Sequence, residues 1–184
     1  TITMDNAKEV TAEFEKLEVA TGSVISFKGL KEEDVTLSNS ASFEKSSSNY
    51  PQYTYKNGET GVLKINNMMF SYAKGTPNFM LHSDNLRGSA KDGRIEIPNL
   101  KKDQIIVAEF SSNSSGDVSF ALSNGTFITE TTSVTGTTAT KLKMKTAENG
   151  SLIITNSTNG YRLYSIALAN TLTTEVTKTD SNEE

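Results

Sequence analysis

The sequence predicts an all-β chain folded as an antiparallel β-sandwich, and three observations carry that expectation. Short stretches of alternating apolar and polar residues recur along most of the chain. Runs rich in Ser, Thr, Asn and Gly separate them at intervals of about 8–12 residues, the rhythm of a sandwich. No stretch of normal helix length carries an apolar stripe of 3.6-residue period.

The elements follow in order. Thr1–Leu17, TITMDNAKEVTAEFEKL, turns at Asp5–Asn6 and then alternates Val10, Ala12 and Phe14 against Thr11, Glu13 and Glu15. That is the pattern of a strand pair. Glu18–Gly22 reads as a linker, and residues 23–170 as the main sandwich domain. Val24–Phe27 is its first strand. Ser38–Tyr50 is dominated by small polar residues and is expected to be loop. Gly58 and Gly61 bracket a turn before Gly61–Ile65, where Leu63 and Ile65 face one way and Val62 and Lys64 the other. Arg94–Ile97 points Ile95 and Ile97 inward, and Pro98 is expected to end it because proline cannot donate to a ladder. Leu100–Asp103 turns the chain into Gln104–Phe110, which is continuously apolar through Ile105–Ala108 like a central strand covered on both faces. Asp117–Leu122 follows. Lys141–Lys145 and Ser151–Thr155 flank Asn149–Gly150, a pair that favours a type I′ hairpin. Tyr161–Leu168 closes the domain. Residues 171–184 are rich in Thr, Lys and acids, with little to bury, and read as linker or disordered tail.

Two stretches resemble known modules. Ile2, Met4, Val10, Ala12 and Phe14 resemble the closing hairpin of divergent internalin-type B-repeats, small all-β modules of bacterial surface proteins. The resemblance implies that 1–17 is the tail of an upstream module in a multidomain surface or secreted protein. Within Leu86–Ala169, "GRIEIPNLKKDQIIVAEFSS" and "GYRLYSIAL" resemble jelly-roll domains attached to polysaccharide-degrading and surface proteins of gut Bacteroidetes. Ile97, Asn99, Leu100, Lys101, Asp103 and Ile105 carry the first motif, and Leu163, Tyr164, Ile166 and Leu168 the second. Gln104 departs from the usual Gly-Asp order of the turn. This resemblance implies a jelly-roll, a carbohydrate-binding role and a secreted or cell-surface location.

Composition narrows the chemistry. The 184 residues carry 22 acids against 18 Lys and Arg, a net charge of −4, which speaks against nucleic acid as a partner. No apolar run approaches the ~20 residues needed to span a membrane. Cys is absent, which removes thiolate nucleophiles, thiolate metal sites and disulfides. The chain begins at Thr1, so a processed or trimmed chain is expected. The lone His82 cannot build a zinc site of the usual kind, and no G-x-S-x-G elbow is present. Nothing in the sequence brings a glycosidase carboxylate pair together. The expectation is a non-enzymatic monomer that needs no cofactor.

The candidate binding residues are aromatic. Tyr50, Tyr53 and Tyr55 fall close together, and Tyr72 and His82 would extend their surface. Flat rings receive the C–H faces of sugars, while amides and charges orient the hydroxyls. The bland reading makes Tyr53 and Tyr55 edge-of-core residues with satisfied hydroxyls. Lys141, Lys143 and Lys145 form a one-sided basic stripe, suited to uronate sugars or simply to solvent. Asp34, Glu44 and Asp117 are the candidate ligands for a structural calcium. Modules similar to the carbohydrate-binding families 6 and 35 place an Asp in the last strand, where this chain has Ser165. A catalytic sandwich would need a group such as Arg87, Tyr72 and His82 in one cleft. The two leading expectations are a polysaccharide-binding module and a structural or adhesive module that spaces other domains or binds a host protein.

Overall fold

The structure is a computed structural model, and it describes residues 21–37, 43–46, 50–55, 61–72 and 78–169. The expected hairpin at 1–17 and tail at 171–184 lie outside them. Sixteen strands lie among the described residues, in chain order. They are β1 (Thr21–Ser26), β2 (Thr36–Leu37), β3 (Phe43–Ser46), β4 (Gln52–Tyr55), β5 (Val62–Ile65) and β6 (Met68–Tyr72). Then come β7 (Asn78–Leu81), β8 (Leu86–Gly88), β9 (Gly93–Leu100), β10 (Ile105–Ser112) and β11 (Asp117–Ser123). The last are β12 (Gly125–Phe127), β13 (Ser133–Thr135), β14 (Thr140–Thr146), β15 (Gly150–Asn156) and β16 (Tyr161–Ala169). One 3₁₀ turn, Glu32–Asp34, is the only helical element among the described residues.

All pairings are antiparallel and form two sheets. The first sheet runs β12-β14-β10-β16-β8-β7-β4-β3, with β1 also on β16. The second runs β13-β11-β15-β9-β6-β5-β2. From β9 onward the longer strands alternate between the sheets in the manner of a jelly-roll, so the expected β-sandwich is what forms. Alternate residues from both inner faces build the core. Phe27, Phe70, Phe79, Phe110 and Tyr161 are fully buried there, joined by edge-to-face contacts such as Phe110–Tyr161 at 5.8 Å.

Four local expectations are corrected. Thr21 and Gly22, expected in the linker, are the first residues of β1. Phe43–Ser46, expected as loop, pairs with β4 from Phe43↔Tyr55 to Ser46↔Gln52. A ladder uses backbone groups, which Ser and Lys supply as well as any residue. Pro98 does not end β9. The register with β15 shifts between Leu152↔Ile97 and Gly150↔Leu100, and Asn99 adopts φ 61°, so the missing N–H falls in a bulge. Asn149–Gly150 does not join a hairpin. β14 lies in the first sheet and β15 in the second, so the chain crosses the sandwich there. Asn124 shapes that crossing, donating to Glu148 O and Ser151 O at 3.2 and 3.1 Å and accepting from Glu148 N at 3.0 Å. The primed hairpin is instead at Asn66–Asn67, whose φ of 48° and 67° join β5 to β6.

Candidate functional site

Outward-facing side chains of the first sheet form one continuous row. Gln52 on β4 pairs with Met80 on β7, Met80 with Arg87 on β8, Arg87 with Arg162 on β16, and Arg162 with Ser111 on β10. Their chain neighbours Phe79, Leu81, Leu86, Tyr161, Leu163 and Phe110 are buried, so alternation turns the row away from the core. Neighbouring strands are about 4.8 Å apart, which makes the row roughly 19 Å long.

An aromatic pair stands at its corner. His82 follows β7, and its backbone N–H donates to Asn85 O at 2.9 Å across the turn to β8. Leu81 N–H donates to Pro51 O at 3.0 Å, which brings the start of β4 beside the end of β7. Tyr50, just before Pro51, thereby stacks on His82 with ring centroids 4.2 Å apart and planes 24° from parallel. Tyr50 is 39% exposed. His82 is half-buried, with Nε2 3.0 Å from Met80 Sδ.

A bulge supplies the third component. The β10–β16 register jumps from Glu109↔Ser165 to Phe110↔Leu163, leaving Tyr164 without a facing residue on β10. Bulges re-aim side chains, and Tyr164 Oη lies 3.0 Å from Ser111 Oγ. Ser111 is fully buried although it faces outward.

The electrostatics are lopsided. Arg87 and Arg162 sit directly opposite each other, an unfavourable placement for like charges. Among the described residues no carboxylate forms an ion pair with either, and both Nε atoms are buried without a hydrogen-bond partner. Arg162 Nη2 donates to Asn113 O at 3.4 Å. Burial lowers the pKa of Arg87, and Arg162 lowers it further, against Tyr164 and Asp84. Burial likewise lowers His82, with Arg87 and Arg162 adding to it and Asp84 opposing.

The sequence candidates divide. Tyr50 and His82 come together. Tyr53 and Tyr72 do not belong to a surface: they are 3% and 2% exposed and pack in the core, because inward alternation on β4 and β6 buries them. Tyr53 Oη has no hydrogen-bond partner among the described residues, and burial, then Glu32, raises its pKa. The Tyr55 side chain lies outside what is described, as does that of Glu44. Asp34 and Asp117 do not converge. Asp34 precedes β2 at one end of the second sheet, and Asp117 starts β11 near the other. Asp34 instead accepts the backbone N–H of Lys31 at 2.8 Å. Among the described residues no three His, Asp or Glu gather as metal ligands. Ser165 donates to Glu109 Oε2 at 3.3 Å.

The expected catalytic grouping is likewise split, since Tyr72 lies in the core of the second sheet while Arg87 and His82 share the outer face of the first. Arg162, Tyr164 and Ser111 were missed by reading the sequence. The one available signal was Arg162 at an outward position of the otherwise apolar and aromatic closing strand.

The second sheet offers a contrasting surface. An open groove of about 700 Å³ is lined by Val62, Met69, Ser71, Arg94, Glu96 and Thr155, among others. Arg94 and Glu96 pair there at 3.0 Å. Its ring, Tyr72, is buried.

No protein-family profile matches the sequence, and no curated protein matches it. Among solved structures, the chain is similar to the carbohydrate-binding module CBM6cm-2 of Cellvibrio mixtus lichenase 5A, determined in complex with cellotriose. The two share 14% identity over 83% of this chain and 99% of that one, with a TM-score of 0.33. That is a loose likeness, and the site is defined by its own geometry.

Proposed function

We propose that the chain is a non-catalytic carbohydrate-binding module of an exported multidomain protein, with its site on the outer face of the first sheet. The observation that carries this is the exposed Tyr50 ring, backed by His82 at the end of a row of hydrogen-bonding side chains. A ring held by a second ring is a rigid support for a sugar face, and little side-chain entropy remains to be lost on binding. Gln52, Arg87 and Arg162 then offer hydrogen-bonding groups to successive hydroxyls along the row, while buried Ser111 holds the Tyr164 hydroxyl.

A second reading, a structural or adhesive module, is favoured by the burial of Tyr53 and Tyr72, which removes two rings from the expected platform. A glycan-array screen of the whole chain, with and without calcium, separates the two. The expected result is a reproducible polysaccharide hit that Tyr50→Ala weakens by about tenfold, in keeping with the loss of one well-packed ring contact. Tyr53→Phe, a change inside the core, leaves that hit intact. A blank array in both conditions would move the assignment to the adhesive reading.

A further inference from the structure

We infer that the Arg87–Arg162 pair selects glycans carrying an anionic group, a uronate carboxylate or a sulfate ester; the inference rests on the glycan-binding reading of the same face. Two guanidinium groups in register across β8 and β16 repel each other, and among the described residues no carboxylate forms an ion pair with either, Asp84 acting on Arg87 only as a nearby charge that ranks behind Arg162. Both Nε atoms are withdrawn from water with no acceptor. Each guanidinium is a planar fork matched to a planar or tetrahedral oxyanion, which it binds by paired charge-assisted hydrogen bonds. An oxyanion above the pair would relieve the repulsion and offer acceptors to the guanidinium donors. A neutral sugar hydroxyl would not do this, because it brings no charge.

The surroundings agree. On the same outer face, Lys141, Lys143 and Lys145 project from β14, whose Leu142 and Met144 face the core. Among the described side chains of that face's strands, Glu109 is the one carboxylate, and it lies opposite Lys141 and accepts from Ser165. The second sheet behaves differently, since Arg94 there is neutralised by Glu96 at 3.0 Å. The face that also presents Tyr50 therefore carries Arg87, Arg162, Lys141 and Lys143 without an ion pair among the described residues, while Lys145 is paired with Asp103 at 3.5 Å.

The test is calorimetric titration of the whole chain with oligogalacturonate, oligoguluronate and oligoglucuronate, each beside its neutral methyl ester, and with a heparin-derived oligosaccharide. The anionic sugar of at least one pair is expected to bind about tenfold or more tightly than its neutral partner, the scale of one charge-assisted contact. Arg87→Gln and Arg162→Gln are each expected to shrink that ratio to about threefold or less, while Tyr50→Ala weakens acid and ester alike. Preference for the heparin-derived sugar alone supports the pair as an anion site and assigns it to sulfate. Esters binding as tightly as acids, with the sulfated sugar no tighter, would overturn the anion selectivity and leave the glycan-binding reading standing. A ratio that survives both arginine changes overturns it too. If no sugar of either kind binds, the anion selectivity is overturned, and the array alone decides the glycan-binding reading.

Discussion

His82 stands where burial and two guanidinium groups all oppose a positive charge. Its pKa is lowered from the ordinary 6.5, by burial first and then by Arg87 and Arg162. An unfolded chain therefore binds this proton more readily than the folded one. The stability linked to a neutral His82 is complete above pH 6.5 and is lost as pH falls through that value toward the folded pKa. We expect urea midpoints of the wild type to fall between pH 7.5 and 5, roughly the window in which histidine titrates. His82→Gln should flatten that part of the profile. An unchanged slope in the variant would show that His82 is not the group responsible. The same residue illustrates what was legible: a lone His and a nearby Tyr50 stood out by type. The pairing of Arg87 with Arg162 did not, because it comes from β8 and β16 being neighbours, which no local pattern states. Tyr53 and Tyr72 misled for the converse reason. A tyrosine in an alternating strand looks the same in sequence whether its face is the core or the solvent.

At the scale of elements, alternation located β9, β11, β14, β15 and β16, since a period of two assigns each residue a side, while β10 was located by its continuous apolar run. Turn chemistry was less complete. Asn149–Gly150 marked a turn correctly, but a turn does not name the partner of the next strand, and β15 joins the opposite sheet. Asn66–Asn67 was the primed turn, available because Asn tolerates positive φ. Gly88 shows how tightly the site's strands are fixed. It faces Tyr161 across β8 and β16, and a Cβ there would lie 2.7 Å from the ring carbons of Tyr161 and 2.8 Å from Tyr72 Oη. Both rings are buried and have nowhere to move. Gly88→Ala is expected to destabilise the domain by about 1–3 kcal/mol, the usual cost of overpacking. A urea melt with an unchanged midpoint would mean that β8 moves outward freely, and the Arg87–Arg162 register would then not be rigid.

For the whole molecule, sign and placement of charge diverge. The chain carries a net −4, yet the outer face of the first sheet presents Arg87, Arg162, Lys141, Lys143 and Lys145, with Glu109 on its described strands and Asp103 paired to Lys145 at its edge. Net charge governs solubility and general repulsion of polyanions, whereas a local field governs which face an anion approaches. The two act over different distances, because exposed charges are screened beyond about 10 Å at 0.1 M salt. At low salt the acidic bulk of the protein opposes the encounter with a polyanionic glycan; at moderate salt that opposition fades before the short contacts at the arginine pair do. Replacing Lys141, Lys143 and Lys145 together by Gln takes the net charge from −4 to −7, so it should slow association most at low salt and make the rate rise more steeply with salt, while leaving the preference for acid over methyl ester in place. Stopped-flow association rates with a uronate oligosaccharide, taken from about 0.05 to 0.5 M NaCl, measure this directly. If the triple variant instead abolishes the acid-over-ester preference, recognition belongs to the lysine stripe on β14 and the arginines only tolerate the ligand. If it changes neither rate nor salt dependence, the stripe is a solvated strand face, and the selectivity is confined to β8 and β16.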